Sequence, residues 1–141
     1  MEYLIPRGAI AYLDTDPIIY LTEGNASFKD SIASLFKATE AADARLIASE
    51  LALSEALVLP LRRHDAELIG AYARLFETTI DALPVSREVL LLTADLRART
   101  PVLKTPDAIH VATATLANAG FFVTADTGIK MLPATMQRIS L

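Results

Sequence analysis

The feature that most constrains this chain is the run Ile10-Ala11-Tyr12-Leu13, which stops at Asp14 and is followed at once by a helix-start signal. Consecutive apolar residues without polar alternation fit a strand buried on both faces of a parallel sheet. Asp16-Pro17 then reads as N-cap and first helical position: the cap oxygen accepts a free N–H, and proline has none to leave unpaired. Asp14 is thereby placed at the carboxyl end of a central strand, where open α/β sheets hold their ligands.

Strand and helix signals alternate along the rest of the chain. Gly24-Asn25 marks a turn, and Ser27 to Ala42 carries Phe28, Ile32, Leu35, Phe36 and Thr39 along one helical face. Arg45 to Ala48 reads as a short strand, with Ser49 capping the next helix. In the helix predicted over 50–59, Leu51, Glu55 and Val58 share a face, which turns Glu55 inward, and Pro60 is expected to end it. Glu50, roughly 140° away round that helix, complements its dipole. Asp65 to Thr78 predicts a helix with Leu68, Tyr72, Leu75 and Phe76 inward, and Thr79 to Leu83 a strand. Ser86 caps a helix to about Arg99 that carries Val89, Leu92 and Leu96 on one face. Thr105-Pro106 repeats the cap-then-proline start and opens an Ala- and Thr-rich helix, Asp107 to Ala119, that Gly120 terminates. Phe121 to Thr124 is a strand broken at 125–128, and a last short strand falls near Gln137 to Leu141. This alternation predicts a three-layer α/β/α sandwich, with a parallel sheet of four or five strands, formed by one domain over 1–141.

Composition narrows the function classes. The chain is 52% hydrophobic, yet no run approaches the ~18 apolar residues of a membrane span, so helix packing or a partner interface accounts for the excess. Cysteine is absent, which removes disulfide frameworks and thiolate metal sites and points to a cytoplasmic chain. The start, Met1 to Arg7, lacks the apolar core of a signal peptide. A net charge of −4 argues against a general nucleic-acid coat, but not against an acidic metal site that handles one phosphodiester.

Such a site is what the acids suggest. Asp14 and Asp126 end strands at one edge of a parallel sheet, Asp107 opens a helix, and Glu55 lies near the start of another. Helix N-termini lie near strand C-termini in β-α-β units, so all four can converge. Four such acids call for a cation, and hard oxygen ligands favour Mg²⁺ or Mn²⁺ over Zn²⁺. Metal-assisted attack of water on a phosphodiester suits this donor set. Each acid also has a plainer role open to it: turn acid for Asp14 and Asp126, dipole-complementing acid for Asp107, solvated residue for Glu55. Asp16 is read as an N-cap, His110 as a packing or structural residue, and Arg62-Arg63-His64 as a solvated basic face.

Four segments in order carry a resemblance. Leu13-Asp14-Thr15-Asp16, Ser49 to Glu55, Asp107-Ala108-Ile109-His110-Val111-Ala112-Thr113-Ala114 and Val123-Thr124-Ala125-Asp126 resemble the motifs of PIN-domain ribonucleases. The resemblance is nearest to the VapC-like toxins of bacterial toxin–antitoxin pairs and covers essentially the whole chain. It implies a Mg²⁺-dependent endoribonuclease, usually a homodimer, held inactive by a small antitoxin protein. On that match Asp14, Glu55, Asp107 and Asp126 correspond to the acidic site, with Thr124 beside it. Asp16 departs from the family, which often has Asn there. Arg97, Arg99 and Lys104 are then candidates for contact with RNA phosphates. The apolar residues Tyr20, Leu21, Phe28, Leu35, Phe36, Leu57 and Leu59 exceed what one small core hides, which fits self-pairing and an antitoxin laid between the early helices.

Two other readings start from the same residues. A haloacid-dehalogenase-like phosphatase would use Asp14 as nucleophile, but that pattern asks for Thr or Val where Ile18 stands, and for a paired acid where Asp126 is alone. A catalytically silent PIN-fold binding module would keep the fold only, against which a complete set of carboxylates argues.

Overall fold

The computed structural model describes residues 3–126, 128–129 and 132–141; Thr127 of the turn expected at 125–128, and the first two residues, lie outside the described residues. The elements in order are β1 (Ile10–Leu13), α1 (Thr15–Glu23), α2 (Lys29–Ala41), β2 (Arg45–Ser49), α3 (Leu51–Arg62) and α4 (Ala66–Thr78). They continue with β3 (Asp81–Leu83), α5 (Arg87–Arg99), α6 (Thr105–Leu116), β4 (Phe121–Thr124) and β5 (Gln137–Ser140). The strands form one sheet in the order β3-β2-β1-β4-β5, with every neighbouring pair parallel.

The apolar run that opens the chain is the middle strand of this sheet. Alternate residues of β1 supply both faces, as a doubly covered strand requires. Tyr12, beside Ile47 and Phe122, packs under α5 and α6 with Val89, Leu96, Val111 and Ala112. Ala11 and Leu13 pack on the other face with Ile18, Leu35, Ala52, Ala56 and Tyr72, from α1 to α4. The expected three-layer α/β/α sandwich is therefore the observed one.

Several local expectations shift. The N-cap of α1 is Asp14, not Asp16: its backbone is extended, at φ −65° and ψ 166°, and its carboxylate accepts the Thr15 N–H. Pro17 then stands two positions later than expected, still within the first turn, where backbone N–H groups have no helical acceptor. The start of α6 shifts likewise, with Lys104 at the cap position and Thr105 already helical. Pro60 does not end α3 but lies buried inside it, and the helix stops at Arg62, less than a turn later. Pro60 has no N–H to donate to the carbonyl four residues before it. Gly120 does not terminate α6, which ends at Leu116; Asn118 takes the left-handed backbone at φ 55°, and Gly120 N–H bonds Ile10 O as β4 begins. The strand expected at Thr79 to Leu83 is confined to Asp81–Leu83, with α4 running to Thr78.

The inward stripe of α3 is also displaced. Its buried residues are Ala52, Ala56 and Pro60, because small side chains let the helix lie close to the sheet, while Val58 is exposed. Glu55 is thus on the flank of the helix rather than its inward face. Of the apolar residues thought surplus to the core, Leu35 is fully buried. Tyr20 and Phe28 stack on each other at 4.9 Å, and Leu59 remains exposed beside Leu61 and Val58.

Candidate active site

The pairing of β1 with β4 sets the first contacts. Asp14 N–H continues the ladder to Val123 O at 2.9 Å, which brings the residue after β1 against the last residue of β4. The buried Asp14 carboxylate accepts Thr15 N–H through Oδ1 and the Thr124 hydroxyl through Oδ2, both at 2.9 Å. Thr124, which has no exposed surface, also accepts Asp126 N–H at 2.9 Å. One hydroxyl thus joins two of the four expected acids. Asp126 in turn accepts Gly128 N–H through Oδ1 at 2.7 Å, so the turn-forming role foreseen for it is filled while it remains at the strand end.

Glu55 reaches the same edge from the flank of α3. Its Oε1 accepts the Thr15 hydroxyl at 2.8 Å and lies 2.7 Å from His110 Nε2. His110, on the second turn of α6, is buried; its Nε2 is also 3.6 Å from Asp14 Oδ1, and its Nδ1 is 2.6 Å from the Tyr12 hydroxyl. Asp107 stands one turn earlier on α6, partly exposed.

The charges act on one another. Burial first, and then the neighbouring charges of Asp126 and Asp14, raise the Asp107 carboxyl above the usual range. Asp16 is raised by burial and by Asp14, Asp126 and Glu55, so it belongs to the same acidic field although its expected role was only to cap α1. Glu55 goes the other way, lowered chiefly by its hydrogen bond to His110, which outweighs the cost of burial. Burial, reinforced by the Asp14 charge, keeps the Tyr12 hydroxyl protonated well above its ordinary range.

This donor set suits a hard cation. The donor atoms on offer are carboxylate oxygens, and beyond the burial that chiefly raises Asp16 and Asp107, the repulsion among these acids is what a cation would relieve. Among the described residues no three Asp, Glu or His side chains stand ready to enclose a single ion. Mg²⁺ rarely asks for that, since it keeps several waters and takes one or two carboxylates. Beside Asp107 and Asp126 a cavity of about 380 Å³ opens, lined also by Thr100, Val102, Leu103, Lys104 and Gly128. Of the three loop cations, Lys104 lines this cavity, whereas Arg97 donates to Leu103 O and Arg99 pairs with Asp95. Arg62, Arg63 and His64 are exposed at the other end of α3 from Glu55.

The hydrogen bonding of Tyr12 to His110 beneath the acids is not foreseen from the sequence, where His110 is read as a packing or structural residue, and one signal could have found it. Tyr12 sits in the middle of a fully apolar strand, and His110 in a helix stretch buried from Ala108 to Ala114. A buried hydroxyl and a buried imidazole each need a partner, so two such residues in one domain imply each other.

Acids gathered at the carboxyl edge of the central strands, in a five-stranded parallel sheet covered on both faces, define an α/β/α domain with an acidic site. The chain belongs to the PIN domain family, whose pattern matches residues 11–134. Its fold is similar to that of VapBC2 from Rickettsia felis, solved bound to a DNA fragment from its promoter. The TM-score is 0.74 at 17% identity, over 93% of this chain and 98% of that one. It is similar also to VapC20 of Mycobacterium tuberculosis, a Sarcin-Ricin loop cleaving toxin, with a TM-score of 0.70 and 15% identity, over 87% and 99% of the two chains. A toxin–antitoxin complex from Klebsiella pneumoniae matches with a TM-score of 0.63 and 24% identity, over 90% and 98%. No curated protein matches the sequence. Among the described residues no helix is long and apolar enough to cross a membrane.

Proposed function

We propose that this protein is a Mg²⁺- or Mn²⁺-dependent endoribonuclease and the toxin of a toxin–antitoxin pair, folded as a single domain. The observation that carries this reading is the meeting of Asp14, Glu55, Asp107 and Asp126 in one electrostatic field at the carboxyl edge of the sheet. PIN-family membership and the likeness to toxin folds support it. Asp14, Asp107 and Asp126 are the residues to hold a divalent ion, with Glu55 at its flank. When bound, such an ion supplies charge to offset the scissile phosphate and lowers the pKa of water. Thr124 and Thr15 N–H fix both oxygens of Asp14, so its orientation is set before substrate arrives. Lys104, at the rim of the cavity, offers a cation to an RNA phosphate. Glu55 is to hold a second metal or to orient the attacking water.

The same reading includes a homodimer, a small antitoxin protein and a cytoplasmic setting. Leu59, Leu61 and Val58, exposed along α3, supply apolar surface for a protein partner. Structured RNA incubated with antitoxin-free protein tests the chemistry. Cleavage is expected with Mg²⁺, none with EDTA, and a loss of orders of magnitude in Asp14→Asn. Cleavage that persists in EDTA, or equal cutting by Asp14→Asn and the wild type, would overturn the metallonuclease reading. Size-exclusion chromatography that returns only a monomer would overturn the dimer.

A further inference from the structure

We propose that His110 is a positioning residue for Glu55: its Nε2–H, fixed by the Tyr12 hydroxyl on Nδ1, pins Glu55 Oε1 and leaves Oε2 free to face the acidic site. The inference rests on the metallonuclease reading of that site and assigns the buried polar layer beneath it. An ionised carboxylate only accepts hydrogen bonds, so the 2.7 Å contact places a proton on Nε2. Nδ1, at the other side of the ring, lies 2.6 Å from the Tyr12 hydroxyl, so the imidazole is held at both nitrogens. Tyr12 cannot drift from that post. It has no exposed surface, stacks on Phe122 at 5.2 Å, and belongs to the central strand of the sheet.

Thr15 completes the clamp. Its hydroxyl donates to the same Glu55 oxygen at 2.8 Å, and its lone pairs face His110 Nε2 at 3.2 Å. Oε1 thus carries two donors, while Oε2 has no hydrogen bond among the described residues. Without the clamp, the flank position of Glu55 on α3 would let its side chain swing into solvent, since it is 34% exposed even when held. Partners that orient a ligating carboxylate commonly contribute 10- to 100-fold in metal affinity.

Two measurements on the full-length, antitoxin-free protein test the assignment. The first is the imidazole ¹⁵N–¹H spectrum of metal-free protein at neutral pH, with His64→Gln used to assign the His110 signals. A proton on Nε2, engaged with Glu55, is expected; an Nε2 that carries no proton overturns the proposal. The second is Mn²⁺ affinity, read by electron paramagnetic resonance of the free ion. His110→Leu, which fills the space without a donor, should weaken Mn²⁺ binding about 10-fold, at the lower end of that range. His110→Gln, whose amide can still donate, should stay within a few-fold of the wild type. A packing role alone predicts the reverse order, because the site is buried. In a Glu55→Gln background His110→Leu should add little, since the residue acts through Glu55; an equal loss in both backgrounds overturns the proposal. A wild type that binds no Mn²⁺ would refute the metal site instead, and the proton on Nε2 would still decide the clamp.

Discussion

Thr124→Val is the sharpest test of how the acidic edge is held. Valine matches threonine in shape and suits a buried strand, so packing and strand propensity alone predict a neutral or stabilising change. The hydrogen bonds predict otherwise. Thr124 Oγ1 donates to Asp14 Oδ2 at 2.9 Å and accepts Asp126 N–H at 2.9 Å, and the residue is fully buried. Losing a hydrogen bond to a charged acceptor costs about 1.5–3 kcal/mol, and an orphaned donor at least ~1 kcal/mol more. The extra buried methyl returns about 0.8 kcal/mol, which leaves a net loss of about 2–3 kcal/mol. For a domain with a urea m-value of about 2 kcal/mol/M, the unfolding midpoint should fall by about 1–1.5 M. Thr124→Ser keeps both bonds and loses only a methyl, so it should cost about 1 kcal/mol. Urea unfolding followed by circular dichroism decides between them. A Thr124→Val protein as stable as Thr124→Ser would show that the hydroxyl bridge does not hold this edge together.

Two further outcomes follow from groups described above. The Asp107 carboxyl is raised by burial and by Asp126, so the fold binds its proton more tightly than the unfolded chain does; the associated stability is present below the ordinary carboxylate range and lost as pH rises through the raised value. Asp107→Asn should therefore be more stable than the wild type at neutral pH without divalent ions, and that advantage should shrink on acidification; urea midpoints showing the same difference at both pH values would refute this. Tyr72, buried on α4, donates its hydroxyl to Glu23 of α1. Tyr72→Phe should cost about 1 kcal/mol of stability while Mn²⁺ affinity is unchanged, and a weaker affinity would mean that this contact reaches the proposed metal site.

The layers and the sheet were legible because β1, β2 and β4 are short apolar runs set between amphipathic helices, a pattern with one economical packing. The ends of the elements were less so. Proline is tolerated anywhere in a first helical turn, so Pro17 and Pro106 fix a start only to within that turn. Pro60 stopped nothing because only the last part of a turn follows it. Glu55 illustrates a subtler limit. Periodicity placed it on an inward face with Leu51 and Val58, whereas the sheet accepts the alanines Ala52 and Ala56, so the carboxylate arrives from the side. Which of two adjacent stripes is buried depends on how near the helix lies to the sheet, and that distance is a tertiary quantity. The link between Tyr12 and His110 crosses 98 positions and leaves no periodic trace.

That separation has a consequence for synthesis of the chain. The central strand is made before the other strands of the sheet, but the hydroxyl that orients the carboxylate following it comes 110 residues later, and the imidazole beneath Glu55 comes 55 residues after Glu55. A partly made chain therefore carries acids with no fixed geometry, since the strand that aligns them is still to be translated. Only when β4 slots in beside β1 do the separate carboxylates become one site. The acidic edge is accordingly not assembled until nearly all of the domain has been made.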